Sequence, residues 1–260
     1  MRIGLRLALI TGLVLGAAGT APADVWDVQT DNDNTTATEN ELVHGSDQLH
    51  DLGALPGPAP DQDWFRLSQK SYSSYEAVAD ATSGDIGATL NLDRIASDGT
   101  TVLQPSVAIG VGYSRSLRWA NTTATAVNDE YVRVTSGSCT TNCGSDDVYR
   151  IHFSETTYAV PRFNNSGTQI TVLLLQNPAS YTINGNVYLW DAAGTLIAPS
   201  PFSLTARQLM VLNTATVAPG AGGTLTIAHD GRYGDLAGKT VALEPATGFS
   251  FDSPMVPRLH

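Results

Sequence analysis

The feature that most constrains this chain is a series of short runs in which apolar and polar residues alternate. In Val148–Phe153, for example, Tyr149, Ile151 and Phe153 alternate with more polar neighbours, and turn-forming clusters separate such runs. This alternation places one face of a strand inside and the other in water, which is typical of an antiparallel sheet. No segment keeps apolar residues at helical spacing for more than two turns. The sequence therefore predicts an all-β fold.

The composition agrees with a folded, turn-rich protein of considerable size. The 260 residues include 24 Gly and 13 Pro, while 42% are hydrophobic and only 15% are charged. These values argue against a disordered chain. The length is enough for two domains of roughly 100–130 residues, each with its own core.

The order of the strand-like runs predicts two β-sandwiches in tandem. We place the first at residues 41–157, after an acidic lead-in at 24–40, and the second at 158–253, before a short tail at 254–260. Pro161 and the Asn-Asn-Ser-Gly cluster that follows it predict a joint near Tyr158–Ser166. The segment Gln169–Gln176 is nearly all apolar or β-branched, which predicts a central strand covered on both faces.

The N-terminal 23 residues have the features of a secretory signal peptide. Arg2 and Arg6 precede the apolar stretch Leu7–Ala18, and Ala21–Ala23 fits a small-x-small cleavage pattern. The mature chain is then expected to begin at Asp24, and the protein to be secreted or periplasmic without membrane insertion. An uncleaved membrane anchor is the alternative.

Export changes the interpretation of the two cysteines. Cys139 and Cys143 are the only cysteines, and three residues separate them. In an oxidising compartment we expect a structural disulfide that closes a short loop. A metal-binding or redox-active pair is the alternative, but the spacing is not that of a Cys-x-x-Cys motif and no histidine is adjacent.

The charge of the chain restricts its partners. The formal net charge is −11, from 14 basic and 25 acidic side chains. Nucleic acids and anionic membranes attract clusters of Lys and Arg, which this chain lacks. We therefore expect no nucleic-acid partner.

Four short motifs occur in an order that resembles a known family: Asn34–Leu42, His44–Gly45, Gln48–Leu52 and Asp61–Phe65. Over residues 30–157 they resemble a bacterial pre-peptidase C-terminal (PPC) domain. The resemblance implies a jelly-roll-like sandwich that serves as an accessory module of secreted proteins. The segment is also similar to the collagen-binding domains of secreted collagenases, whose lead-ins bind calcium. Residues 158–253 resemble, in pattern only, an immunoglobulin-like module of bacterial surface proteins.

Two acidic clusters are candidates for a calcium site. Asp31 and Asp33 alternate in the lead-in, and Asp61 and Asp63 have the same spacing where a strand is predicted to begin. Calcium takes six to eight oxygen ligands from carboxylates, amides and carbonyls. The PPC resemblance implies that the two clusters meet in space, so we predict Asp33, Asn34, Asp61 and Asp63 as calcium ligands. A solvated acidic segment is the alternative.

The remaining polar residues give no recognisable catalytic or zinc motif. His44, His50, His152 and His229 lack the spacing of zinc ligands, so we expect each to be a surface or hydrogen-bonded histidine. No Gly-x-Ser-x-Gly elbow occurs, and no catalytic residue is predicted. Exposed aromatic residues could stack on sugar rings, and the candidates are Tyr72, Tyr75, Tyr113, Trp119, Tyr188 and Trp190.

The sequence thus predicts a secreted, non-catalytic binding or accessory protein of a bacterial surface or exterior, with calcium as a stabilising ion. Its expected ligand is an extracellular protein or glycan. A secreted β-sandwich polysaccharide hydrolase or lyase is one alternative, because chance arrangements of Ser, His and acidic residues are not visible in sequence. A structural spacer of a surface assembly is the other.

Overall fold

The structure is a computed structural model that describes residues 33–53, 61–108, 114–137 and 143–258. The predicted signal peptide, Asp31, Tyr113 and Cys139 lie outside these residues. Across the described ranges no helix is long and apolar enough to cross a membrane. Among the described residues the regular structure is strand except for 3-10 turns at Gly137 and Thr214–Thr216, which confirms the predicted all-β class.

The first half of the chain contributes ten strands within the described residues. In chain order they are β1 (Glu41–Leu42), β2 (Ser46–Asp51), β3 (Asp63–Gln69), β4 (Ser73–Ala81), β5 (Leu90–Ile95), β6 (Val102–Pro105), β7 (Val107–Ala108), β8 (Ser114–Asn121), β9 (Val127–Ser136) and β10 (Val148–Glu155). They form one five-stranded sheet with the order β1-β3-β9-β5-β6 and a second with the order β2-β10-β4-β8-β7. Every pairing is antiparallel except that of β1 with β3.

The second half contributes nine more strands within the described residues. They are β11 (Tyr158–Asn164), β12 (Ile170–Gln176), β13 (Ile183–Asp191), β14 (Leu196–Leu204), β15 (Leu209–Asn213), β16 (Gly222–His229), β17 (Ala237–Glu244), β18 (Phe249–Pro254) and β19 (Val256–Pro257). One sheet has the order β14-β13-β16-β11-β19 and the other β15-β12-β17-β18.

Each half buries its own core between two sheets. The first core includes Phe65 from one sheet and Tyr149 from the other, both with no exposed surface. The second core joins Leu173 of β12 to Val187 and Leu189 of β13. The alternation seen in the sequence explains this arrangement, because inward side chains of facing sheets interdigitate and bury apolar area.

Two local predictions need correction. The predicted joint at Tyr158–Ser166 is a continuous strand: β10 ends at Glu155, just before it, and β11 runs through the segment and accommodates Pro161 at a register shift between Val160 and Phe163. A bulge is where a strand tolerates the missing proline N–H. The strand β12 is also not covered on both faces: Leu173 is buried, whereas Leu174 on the opposite face is partly exposed.

The two sandwiches pack directly against each other. Tyr72 has a φ of 51°, an uncommon value for a residue with a side chain, and lies at the β3–β4 turn. Its ring contacts Tyr188 and Trp190 on the outer face of β13, with centroids 4.7 and 5.2 Å away. Glu76 of β4 accepts a hydrogen bond from the Tyr233 N–H at 2.8 Å, and burial raises the pKa of this carboxyl.

The end of the chain returns to the first sandwich. The sequence predicts a tail at 254–260, whereas Val256–Pro257 pairs with β11. The Arg258 guanidinium then donates a 2.7 Å hydrogen bond to Glu155, a carboxylate at the end of β10 that is 4% exposed. The segment 256–258 therefore adds a strand to the second sandwich and, through Arg258, forms an ion pair with Glu155 of the first.

Candidate metal centre

The acidic lead-in is held against the start of β3. The Trp64 N–H donates to the Asp33 carbonyl oxygen at 2.7 Å, and the Gln62 side-chain amide donates to the Asn34 carbonyl oxygen at 3.1 Å. These bonds fix the backbone of the lead-in beside the β3 backbone. As a result, the Asp33 and Asp63 side chains come close together although 30 positions separate them.

A cluster of three ionisable side chains lies at this point. Asp33, His50 and Asp63 each bring a ligand atom to within 4.8 Å of the others. Asp33 and Asp63 are 0% exposed and His50 is 1% exposed. Burying two carboxylates is costly unless cationic groups or a metal ion compensate them. The three side chains are therefore a candidate cation site.

Neighbouring side chains determine the orientation of His50. Its ring stacks on Tyr149, with centroids 5.6 Å apart, and meets the edge of Phe65 at 4.9 Å. The Nε2–H donates to the Gln48 amide oxygen at 2.9 Å, since a carbonyl oxygen only accepts. This leaves the other nitrogen, Nδ1, facing Asp33 Oδ2 at 3.8 Å.

The Asp63 carboxylate has a hydrogen-bond donor of its own. The Tyr149 hydroxyl donates to Asp63 Oδ2. Tyr149 therefore both stacks on His50 and orients Asp63. Partners behind the ligating groups are characteristic of metal sites, where they fix ligand geometry.

The other two predicted ligands form a separate arrangement. Asn34 Oδ1 and Asp61 Oδ1 both accept from the backbone N–H of Gln62, at 3.2 and 3.0 Å. The four residues predicted from sequence thus gather at the lead-in and the start of β3. Asp33 and Asp63 enter the three-residue cluster, while Asn34 and Asp61 share a backbone donor. Calcium binding by these residues stays a prediction.

Asn40 is a further polar side chain in this region. It is 1% exposed, and neither atom of its amide has a hydrogen-bond partner among the described residues. The Asn40 carbonyl oxygen accepts from Arg66 N–H, and Leu42 pairs with Leu67. Since strand side chains alternate between faces, Asn40 points to the same interior face as Leu42, the face that β3 lines with Asp63 and Phe65.

The donor set does not fit calcium well. Calcium takes six to eight oxygens, whereas one of the three converging groups is an imidazole nitrogen and Asp63 Oδ2 already accepts the Tyr149 hydroxyl. Imidazole ligands suit zinc, copper, iron and nickel, while all-oxygen sets suit calcium and magnesium. The residues present therefore do not fit the calcium ion that the PPC resemblance implies.

Sequence reasoning missed His50, Asn40 and Tyr149. A usable signal was present for His50, because Leu49 is 62% exposed on the other face of β2 while His50 takes the inward position. An inward histidine beside an outward leucine reverses the usual order. The contact with Asp63 depends on the packing of two sheets, which spacing along the chain does not reveal.

The other described histidines have ordinary surroundings. His229 is buried; its Nε2–H donates to the Thr156 carbonyl oxygen at 2.9 Å and its Nδ1 accepts from Gly231 N–H at 3.0 Å. Burial lowers the pKa of His229 to about 4, so the ring is neutral at pH 7. His152 is partly exposed near Asp47 and Asp80, at 3.5 and 3.7 Å, and His44 accepts a hydrogen bond from Glu155 N–H at Nδ1, at 3.0 Å.

Two other predictions have only part of their residues described. Cys143 packs against the first core, but Cys139 is not among the described residues, so the disulfide stays a prediction. Of the six candidate aromatics for sugar stacking, Tyr75, Trp119 and Tyr188 are at most 5% exposed. Tyr72 and Trp190 contact each other at the joint.

Comparisons with known proteins give weak structural similarities only. No protein-family model matches the chain, and no curated protein matches it in sequence. It is similar to the pre-peptidase C-terminal domain of collagenase from Bacillus anthracis, at 11% identity and a TM-score of 0.31, over 44% of this chain and 93% of that one.

Other similar structures belong to much longer enzymes. A glycosyl hydrolase family 2 member from Bacteroides cellulosilyticus is 10% identical with a TM-score of 0.22, over 80% of this chain and 31% of that one. A Bacteroides uniformis β-glucuronidase is 11% identical with a TM-score of 0.20, over 81% and 32%. At these values the similarities support no argument about activity or ligand.

Proposed function

We propose that this chain is a secreted or periplasmic bacterial accessory protein that binds an extracellular protein, with a buried cation stabilising its first sandwich. The observation that carries the proposal is the closure of the Asp33–His50–Asp63 cluster, whose residues are at most 1% exposed. Because these three side chains are buried among the described residues, a substrate has no direct access to an ion held between them. This burial favours a stabilising role of the ion over a catalytic one, and the PPC resemblance of the lead-in supports an accessory role.

The placement of the described candidate aromatics gives sugar stacking little support, and we therefore propose a protein ligand. Sugar-binding sandwiches stack sugar rings on exposed aromatic faces. Here Trp119 and Tyr188 are 5% and 2% exposed, and Trp190 packs on Tyr72. Among the described candidates, these residues contribute to cores and to the joint between the sandwiches and do not present a free face for sugar stacking.

A binding and turnover screen tests this function. The purified chain is offered immobilised cell-envelope and matrix proteins, a glycan panel, and polysaccharide and peptide substrates. Saturable binding to a protein without turnover is expected. Release of product from any polysaccharide would contradict the proposal and support the hydrolase or lyase, while ordered self-assembly without ligand binding would support the surface spacer.

A further inference from the structure

The nitrogen ligand identifies the class of ion. We propose that the cluster of Asp33, His50 and Asp63 binds a transition metal of the zinc type in preference to calcium, and that this ion fastens the lead-in to both sheets of the first sandwich. The inference rests on the proposed function, which places a cation in the cluster, and it goes further by naming the ion and its mechanical role.

The surroundings of His50 hold its Nδ1 atom next to the two carboxylates. The His50 ring is fixed by Tyr149 on one face, by Phe65 at 4.9 Å and by the hydrogen bond to Gln48. Turning the ring over within its plane would move Nδ1 away from Asp33 and break the hydrogen bond to Gln48, while any other rotation would also break the stacking on Tyr149. Any ion that binds between Asp33 and Asp63 therefore meets an imidazole nitrogen.

The hydrogen bond to Gln48 fixes the tautomer of the neutral His50 ring. Because Nε2 carries the proton that it donates to Gln48, the neutral ring presents its lone pair at Nδ1. A lone pair directed at two carboxylates is the arrangement in which an imidazole ligates a metal. The Gln48 contact corresponds to the outer partner that fixes the tautomer of metal-binding histidines.

The distances between the ligand atoms are close to those of a zinc site. Nδ1 of His50 and Oδ2 of Asp33 are 3.8 Å apart, and all three ligand atoms lie within 4.8 Å of one another. In a tetrahedral zinc site with bonds of about 2.0–2.1 Å, ligand atoms are spaced about 3.3 Å apart. A small contraction of the cluster is enough to reach this spacing. The inward amide oxygen of Asn40 is the candidate fourth ligand.

An ion bound in the cluster would connect three separate parts of the first sandwich. Asp33 belongs to the lead-in, Asp63 begins β3 in one sheet, and His50 lies in β2 of the other sheet. The hydrogen bonds from Trp64 and Gln62 to Asp33 and Asn34 connect the lead-in to the β3 side of the sandwich. An ion bound by all three residues would hold the two sheets and the lead-in together at this end of the sandwich.

The test compares ions on the full chain after treatment with a chelator. Zn²⁺, Co²⁺, Mn²⁺, Ca²⁺ and Mg²⁺ are added separately and the melting temperature is measured. At about a hundredfold excess over Kd, we expect zinc to raise Tm by roughly 5–10 °C and calcium to leave it unchanged. A shift with calcium but not zinc would overturn the inference and leave the stabilising cation in place. No shift with any ion would remove both.

A pair of variants locates the effect. His50→Gln should abolish the zinc shift, whereas His152→Gln, which removes a partly exposed histidine that also lies near two carboxylates, should preserve it. A zinc shift that persists in a folded His50→Gln protein overturns the assignment.

A spectroscopic readout on the wild-type chain covers the case in which His50→Gln does not fold. Bound Co²⁺ should show the intense visible absorption of a four-coordinate site, and adding Zn²⁺ should displace it. The weak spectrum of six-coordinate, all-oxygen cobalt would contradict the nitrogen-containing site.

Discussion

At the scale of single residues, two buried histidines differ only in what surrounds them. His229 faces backbone groups, with Nε2 donating to Thr156 and Nδ1 accepting from Gly231. Those contacts satisfy a neutral ring and leave no reason for a ligand. His50 faces two carboxylates, Asp33 and Asp63, within 4.8 Å. The same residue type is therefore structural in one sandwich and a candidate metal ligand in the other.

His229 makes the stability of the protein depend on pH. Burial lowers its pKa from 6.5 to about 4, so the folded state binds fewer protons than the unfolded state between these values. Stability is then fully present above pH 6.5 and is lost as the pH falls towards 4. Between pH 7 and pH 5 we expect this group to reduce the free energy of unfolding by about 2 kcal/mol.

Urea unfolding at the two pH values measures this contribution. The loss of stability at pH 5 should be smaller in His229→Gln than in the wild type by about 2 kcal/mol, whereas the variant of the partly exposed His152, His152→Gln, should keep the wild-type difference. Equal pH dependence in all three proteins would show that His229 does not remain neutral in the folded state.

At the scale of elements, the last strand joins the two sandwiches through an ion pair. Glu155 is 4% exposed and contacts both Arg258, at 2.7 Å, and Lys70, at 3.2 Å. Removing one partner of a buried pair leaves an incompletely compensated charge. The exposed pair of Lys239 and Asp252 has no such effect, because water solvates whichever partner remains.

Alanine substitutions of the two cations separate these cases. Arg258→Ala should reduce the free energy of unfolding by about 2–3 kcal/mol, below the largest values for buried pairs because Lys70 remains. Lys239→Ala should change it by less than about 0.5 kcal/mol. Chemical denaturation of both variants provides the measurement, and equal effects would mean that Arg258 does not anchor the last strand.

The sequence predicts a strand well when local alternation determines it and poorly when contacts with neighbouring strands determine it. The alternation in Val148–Phe153 predicts β10 correctly, because one buried face leaves a period of two in the sequence. Pro161 and Ile170–Gln176 misled the prediction for a common reason. A bulge and a partly exposed apolar face depend on neighbouring strands, which local composition does not describe.

The same distinction applies to the candidate site. Asp33 and Asp63 were predicted together because the PPC resemblance supplied the approach of the lead-in to β3. His50 was assigned to the surface or to an ordinary hydrogen bond, because nothing in its spacing links it to Asp63. Its place in the cluster follows from the packing of one sheet on the other, which Tyr149 and Phe65 mediate.

At the scale of the whole molecule, the contacts between the sandwiches should make them unfold together. Tyr188 lies on the outer face of its sheet and is nevertheless 2% exposed, because Tyr72 covers it. Glu76 adds a hydrogen bond to Tyr233 N–H across the joint. A joint of this kind couples two cores that would otherwise be independent.

Scanning calorimetry tests the coupling. The wild type should show one unfolding transition, and the double variant Tyr72→Ala/Glu76→Ala should show two or a broadened one. Two well-separated transitions in the wild type would mean that the joint does not couple the sandwiches.

The proposed export of the whole chain has its own test. When the full sequence is expressed in a bacterium, the protein should appear in the periplasm or medium with Asp24 as its N-terminal residue. N-terminal sequencing and fractionation measure this. An intact chain that begins at Met1 and stays in the membrane fraction would instead support the uncleaved anchor.

Both proposals require a cation among Asp33, His50 and Asp63. Its most direct test is the metal content of the full chain after dialysis against trace zinc and then against metal-free buffer, measured by elemental analysis. We predict about one zinc per chain, since an imidazole nitrogen and carboxylate oxygens are ligands that zinc takes in proteins, and a loss of that zinc in Asp63→Asn. A wild-type chain that folds and retains no zinc would contradict the account.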